Sequence, residues 1–221
     1  MDVIKKAVKE GRKTLSEYES RLVIESAGVF VAAAALTKTK EEAIQEAEAM
    51  GYPVVMKGCS AELSHKTEAG MVTLNITDSD QVAQVFDELT SKAKNLDGIL
   101  VEKMVRGSRE FVIGLSRDPS FGPCVMFGLG GIFTEALKDV TFRVAPLTRE
   151  DALEMIDEIK TKKLLGEFRG SPAVDRESLA KALIGVGDLG IKYDSIAEID
   201  INPLIICGDK PVAVDALVVL K

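Results

Sequence analysis

Histidine is almost missing from this chain: 221 residues carry one, His65. A lone imidazole has no second histidine to join it, which excludes a multi-histidine metal centre built from this chain alone. Cysteine is scarce as well. Cys59, Cys124 and Cys207 are odd in number and far apart, a pattern that fits neither a disulfide framework nor a zinc site, so reduced thiols are expected. Long apolar runs are also lacking. An uncharged apolar stretch such as Gly28 to Leu36 is far too short for a bilayer, and Met1-Asp2-Val3-Ile4-Lys5-Lys6 mixes charges where a signal peptide needs an apolar segment. No membrane association is expected, and a cytoplasmic location is the default. Positive charge is in deficit too. With 28 basic side chains against 35 acidic ones the net charge is −7, a field that repels polyanions and argues against nucleic acid as a partner. A phosphate ligand would have to be held by local lysines, arginines and a divalent cation.

What is present is a nearly continuous series of helix and strand signals, enough for one large domain or two lobes. A capping box of Ser16 with Glu19 opens a helix through Leu22, Val23 and Ile24 that stops at Gly28. Thr39 with Glu42 opens another, which ends at Met50 with Gly51 as its cap. Further helices fit Ser79 to Lys94, Thr148 to Ile159 and Asp175 to Gly187. Strands are predicted near Val29 to Ala32, Val54 to Lys57, Met71 to Ile76, Ile99 to Lys103, Glu110 to Ser116 and Cys124 to Phe127. Three more follow near Ala197 to Ile201, Leu204 to Cys207 and Val212 to Val218. Short turns such as Arg117-Asp118-Pro119-Ser120 join consecutive strands after Ile99, so the predicted class is α+β with antiparallel-rich sheet. A lobe boundary is placed near Asn95-Leu96-Asp97-Gly98.

Four constellations carry chemistry. The strand Pro53-Val54-Val55-Met56-Lys57 ends in a lysine and leads into the polar loop Cys59 to Gly70, which holds His65. Such a lysine, followed by small residues, suits phosphate: backbone N–H groups come close and the ammonium acts as a point charge. No Gly-Lys-Ser/Thr closes it as a Walker loop, and a solvated surface histidine is the competing reading. In Asp200-Ile201-Asn202-Pro203 the two polar side chains share one strand face, and the returning strand through Asp215 brings a third hard oxygen ligand alongside. That set suits Mg²⁺ shared with substrate phosphates; an ordinary strand-end turn is the alternative. Val101-Glu102-Lys103-Met104, with Glu110 beyond it, offers backbone groups for an adenine edge and a carboxylate for ribose hydroxyls, against a plain edge hairpin. Finally, Gly128-Leu129-Gly130-Gly131 lets backbone pass close to a ligand, and the charged residues from Lys138 to Arg143 exceed what a turn needs. It does not match the dinucleotide fingerprint.

Taken in order, Leu15 to Glu19, Gly51 to Lys57, Ser64 to Gly70, Arg117 to Pro123, Phe127 to Phe133, Lys138 to Pro146 and Asp200 to Leu204 resemble the ATP-grasp (beta) subunit of ADP-forming acyl-CoA synthetases, relatives of succinyl-CoA synthetase. The likeness covers nearly the whole chain. It implies a single ATP-grasp domain over 1–221, with approximate lobes 20–97 and 98–221 and the nucleotide between them. It also implies ATP or ADP and Mg²⁺ as cofactors. By resemblance, Lys57 contacts nucleotide phosphates, with Gly70 in the phosphate loop and Arg143 as a further neutralising charge. Val101, Glu102 and Met104 fall on the adenine hinge and Glu110 near the ribose. Asn202 and Asp215 match the Mg²⁺ ligands, with Asp200 beside them. His65 matches a loop histidine that takes phosphate from a partner's phosphohistidine and passes it to ADP. The chain departs from the family at Gly70-Met71, where Gly-Gly is common, and at Phe30, where a proline is common.

The implied reaction converts acyl-CoA, ADP and phosphate into acid, CoA and ATP. Nothing in the chain reads as a CoA-binding domain, so the resemblance implies a separate CoA-binding alpha subunit carrying the phosphohistidine and a hetero-oligomeric assembly. Acid specificity would reside in that partner. Two other classes stay open: a different ATP-grasp carboxylate ligase, in which His65 would be dispensable, and a nucleotide-sensing module without turnover. The set Lys57, His65, Asn202 and Asp215 argues against the sensor.

Overall fold

The computed structural model describes residues 2–63, 69–131, 138–168 and 170–221. Along the chain lie α1 (Asp2–Lys9), α2 (Glu17–Glu25), β1 (Ala34–Thr37), α3 (Lys40–Met50), β2 (Val54–Cys59), β3 (Val72–Ile76) and α4 (Ser79–Lys92). Then come β4 (Gly98–Lys103), β5 (Glu110–Asp118), β6 (Gly122–Leu129), β7 (Val140–Val144), α5 (Arg149–Glu158), a 3-10 turn (Lys162–Leu165) and α6 (Arg176–Lys192). The chain closes with β8 (Ile196–Cys207), β9 (Lys210–Ala213) and β10 (Leu217–Leu220). The class is α+β. Among the described residues no helix is long and apolar enough to cross a membrane.

Two units result. Residues 32–104 with 15–18 form the first, and residues 1–14, 19–31 and 105–221 form the second. The division falls after Met104 instead of near Asp97, because β4 is paired along both edges inside the first unit, to β1 and to β2. Nor does the N-terminal part sit wholly in one lobe, since residues 1–14 and 19–31 go with the second unit.

In the first unit an antiparallel sheet of order β1-β4-β2-β3 carries α3 and α4. The Thr39 side chain accepts from the Glu42 N–H and the Glu42 carboxylate accepts in return, so the capping box starts α3 where its spacing predicts. Ala43 and Ala47 of α3, Val82 and Leu89 of α4, and Val54, Met56, Ile99 and Val101 of the sheet form the apolar core. Sheet residues one step out of phase, Val55, Lys57 and Glu102, point to the other face.

The second unit is built on the path β10-β8-β5-β6-β7, with β9 added to β8. Facing residues in an antiparallel pair share a side of the sheet, so the register defines two faces. On one, Val218, Ile199, Leu115 and Val125 form a fully buried row, under α5 and α6. On the other, Leu217, Asp200, Gly114, Met126 and Phe142 face one another across five strands. Phe142 there is 54% exposed.

Four of the predicted elements differ most. No strand forms over Val29 to Ala32, where only an isolated bridge joins Val31 to Ala213; the strand is β1, further on. The segments 197–201 and 204–207 are one strand, β8, with a register shift opposite Phe111 to Ile113 that absorbs Asn202-Pro203 as a bulge. The predicted strand 212–218 is two strands laid end to end along the same edge of β8. Helix α6 runs past Gly187 to Lys192, because Gly187 and Gly190 are seats for Val125, Leu115 and Pro123 side chains and not stops.

Candidate functional site

The acidic constellation gathers on the second unit. Asp200 and Asn202 lie on one face of β8, as alternation requires, with Glu198 one step further back. Asp215 is not on a strand: it occupies the bend where β9 hands over to β10. That bend spans residues 201–203 of β8, and the Val214 N–H donates to the Pro203 carbonyl at 3.3 Å, which sets Asp215 beside Asn202. The electrostatic mark of the cluster is at Asp200. Burial first, then the charges of Glu198 and Asp215, push its carboxyl up to about 6.

The glycine-rich stretch meets the same place. Gly131 has a positive φ of 68°, its N–H donates to Asn202 Oδ1 at 3.3 Å, and a Cβ there would collide with the Glu110 carboxylate. One glycine therefore brings together Glu110 and Asn202, two residues the sequence assigns separately to ribose and metal. The rest of that stretch, residues 132–137, lies outside the described residues. Beyond it Asp139 has a structural task. Burial would raise its pKa, but bonds from the Thr161 side chain and from the Lys160 and Thr161 N–H groups outweigh that and hold it below the usual range.

Arg143 is not part of this cluster. It pairs across β6 with Val125, so it lies on the opposite face of the sheet from Asp200, and its guanidinium is bound by Glu158 and Glu154 of α5. The one-residue offset gives the Asp200 face Phe142 in its place.

The remaining site residues belong to the first unit. Lys57 is 6% exposed, and its ammonium lies 2.8 Å from Glu17 and 2.9 Å from Glu102. Glu102 thus uses its side chain on the lysine. Val101 is fully buried in the core of a central strand, so its side chain packs inward and only its backbone is left for the expected adenine contact. Met104 lies just past β4, its N–H donating to the Pro53 carbonyl at 3.3 Å. Gly70 has a φ of 64°, and its carbonyl accepts from Lys92 Nζ at 3.0 Å. Met71 beside it is a core residue whose methyl group fills the space a Cβ on Gly58 would need. His65 falls at 64–68, outside the described residues. Sequence reading misses Glu17, whose only local signal is that it follows Ser16 at a helix start.

As a donor set, Asn202, Asp200 and Asp215 offer hard oxygens, and among the described residues no three His, Cys, Asp or Glu side chains group to hold a metal by themselves. A cation that completes its shell with phosphate oxygens and water fits such a set.

Comparison with known proteins agrees. An ATP-grasp domain model matches residues 6–220. The beta subunit of acetate–CoA ligase [ADP-forming] I from Pyrococcus furiosus is 43% identical, over 99% of this chain and 97% of that subunit. Acetate–CoA ligase [ADP-forming] I of Archaeoglobus fulgidus is 37% identical over 99% of this chain, which corresponds to 33% of that longer protein. A structure of acetyl-coenzyme A synthetase 1 from Ca. Korarchaeum cryptofilum, with coenzyme A and Mg-AMPPCP and its phosphohistidine segment pointing towards the nucleotide-binding site, superposes with a TM-score of 0.88 at 41% identity, covering 100% of this chain and 99% of that one. The fold, the oxygen cluster and these end-to-end matches converge: the chain belongs to the ATP-grasp family.

Proposed function

We propose that this chain is the nucleotide-binding beta subunit of an ADP-forming acyl-CoA synthetase, moving phosphate between a partner's phosphohistidine and ADP while acyl-CoA, ADP and phosphate become acid, CoA and ATP. The observation that carries the reading is the junction at Gly131, where Glu110 and Asn202 meet beside Asp200 and Asp215. Its support from outside the chain is the full-length likeness to a subunit that works with another subunit.

Phosphoryl transfer asks a protein mainly to position groups and neutralise charge. Asn202, Asp215 and Asp200 would hold Mg²⁺, which when bound offsets the charge of the phosphates. Glu110 takes the ribose hydroxyls. Lys57 contacts a phosphate, and the backbone from Val101 to Met104 reads the adenine edge. His65 is the relay: a neutral imidazole is nucleophilic near pH 7 and accepts phosphate from the partner's phosphohistidine before passing it to ADP. Arg143 drops out of this assignment because Glu158 and Glu154 occupy it on the other sheet face.

The test uses the chain with its CoA-binding partner, acyl-CoA, phosphate and ADP. His65→Ala abolishes ATP formation yet leaves phosphorylation of the partner's histidine intact, and Asn202→Ala and Asp215→Ala each weaken Mg²⁺-dependent binding or turnover. A fully active His65→Ala enzyme removes the relay. Unchanged Mg²⁺ dependence in both other variants removes the metal assignment.

A further inference from the structure

Lys57 is expected to attract phosphate, yet the structure surrounds it with acid. Its Nζ lies 2.8 Å from Glu17 Oε1 and 2.9 Å from Glu102 Oε2, and all three side chains are nearly inaccessible, at 7%, 2% and 2%. One ammonium therefore faces two carboxylates, in a medium where charges are felt more strongly than in water. A phosphate approaching Lys57 meets an ammonium that two carboxylates already hold.

Glu102 comes from the neighbouring strand, its alternation fixed by β4. Glu17 comes from far away in sequence and is held separately. Leu15, Ser16 and Glu17 are all buried, and Ser16 and the Tyr18 backbone bond to the buried thiol of Cys59, two residues beyond Lys57 on β2. Those bonds pull the thiol's pKa down against the larger effect of burial, which raises it. The segment 15–18 is thereby fixed along β2, with the Glu17 carboxylate aimed at the ammonium.

We propose that Glu17 is a positioning residue that competes with phosphate for Lys57 and so keeps nucleotide binding weak enough for turnover. The inference rests on the reading that Lys57 contacts nucleotide phosphate. Glu102 and Glu17 both hold the ammonium, and a phosphate that engages Lys57 must compete with the Glu17 contact. Its removal strengthens binding and slows nucleotide release, a step that limits many enzymes.

The experiment titrates the full chain with Mg-ADP and with adenosine, using wild type, Glu17→Gln, Lys57→Met and the double variant. The amide keeps an oxygen for the lysine and removes one charge. Glu17→Gln is expected to lower the Kd for ADP roughly tenfold while leaving the Kd for adenosine unchanged, since the ammonium it releases acts only on the phosphates. With the partner present, KM for ADP and kcat fall together. In the Lys57→Met background the Glu17 substitution has no further effect on ADP binding. A structural role would move adenosine and ADP alike. If Lys57→Met weakens ADP binding but Glu17→Gln leaves it unchanged or weaker, the competition is refuted while the Lys57 reading stands. If Lys57→Met leaves ADP binding unchanged, the Lys57 reading fails, and this inference with it.

Discussion

Asp200 carries a carboxyl that burial and its acidic neighbours push well above the ordinary carboxylate range. Its carboxyl titrates at about 6 in the folded chain against an ordinary 3.8, so the folded state holds the proton more tightly than the unfolded state does. Stability from this group is fully present below about pH 4 and falls as the pH rises to about 6, because charging Asp200 beside Glu198 and Asp215 is unfavourable. Asp200→Asn removes that penalty. Urea unfolding of the ligand-free chain should show the variant gaining on wild type between pH 4 and 6 and holding a constant lead above, whereas a difference independent of pH contradicts a penalty from charging this carboxyl. Tyr52 makes a second residue-scale case. Its buried hydroxyl has no hydrogen-bond partner among the described residues, so Tyr52→Phe should leave stability unchanged or raise it by up to about 1 kcal/mol; a loss of about 2 kcal/mol would reveal a partner. Of these residues the sequence identifies Asp200, because Asp-x-Asn at a strand end is a local pattern. Glu17 is not legible. Its target lies 40 residues away, and only the packing of the segment 15–18 along β2 joins them.

At the scale of elements, what the sequence conveys depends on whether the signal is local. The box of Thr39 and Glu42 and the caps of Asp78 and Asp175 all sit where short-range chemistry puts them. Register is not local. Arg143 and Phe142 differ by one position, and the pairing of β7 with β6 alone decides which of them joins the Asp200 face. Chain return puts Asp215 near Asn202 correctly but on a strand wrongly, since nothing nearby in sequence says that β9 and β10 share one edge of β8. Arg109 carries no sequence signal either. It is 3% exposed, and its guanidinium donates to the carbonyls of Leu164, Gly166, Pro172 and Gly208, tying the segment around the 3-10 turn to the β8–β9 turn. Arg109→Met strands those acceptors. A loss of about 3 kcal/mol in urea unfolding is expected, and a loss under about 1 kcal/mol would show that the segment is held by other contacts.

For the whole molecule, the composition excludes more than it assigns. Few cysteines, one histidine and net negative charge argue against disulfide scaffolds, multi-histidine metal sites and nucleic-acid partners, while the proposed function draws on residues spread between Lys57 and Asp215. The central claim is that these residues bind Mg²⁺ and a nucleotide together. Calorimetric titration of the isolated chain with ADP, with and without Mg²⁺, tests it most directly. Saturable binding that requires Mg²⁺, raises Tm with ligand concentration and is weakened in Asp215→Ala is the predicted result. Absence of any heat or shift in Tm at millimolar nucleotide would contradict it.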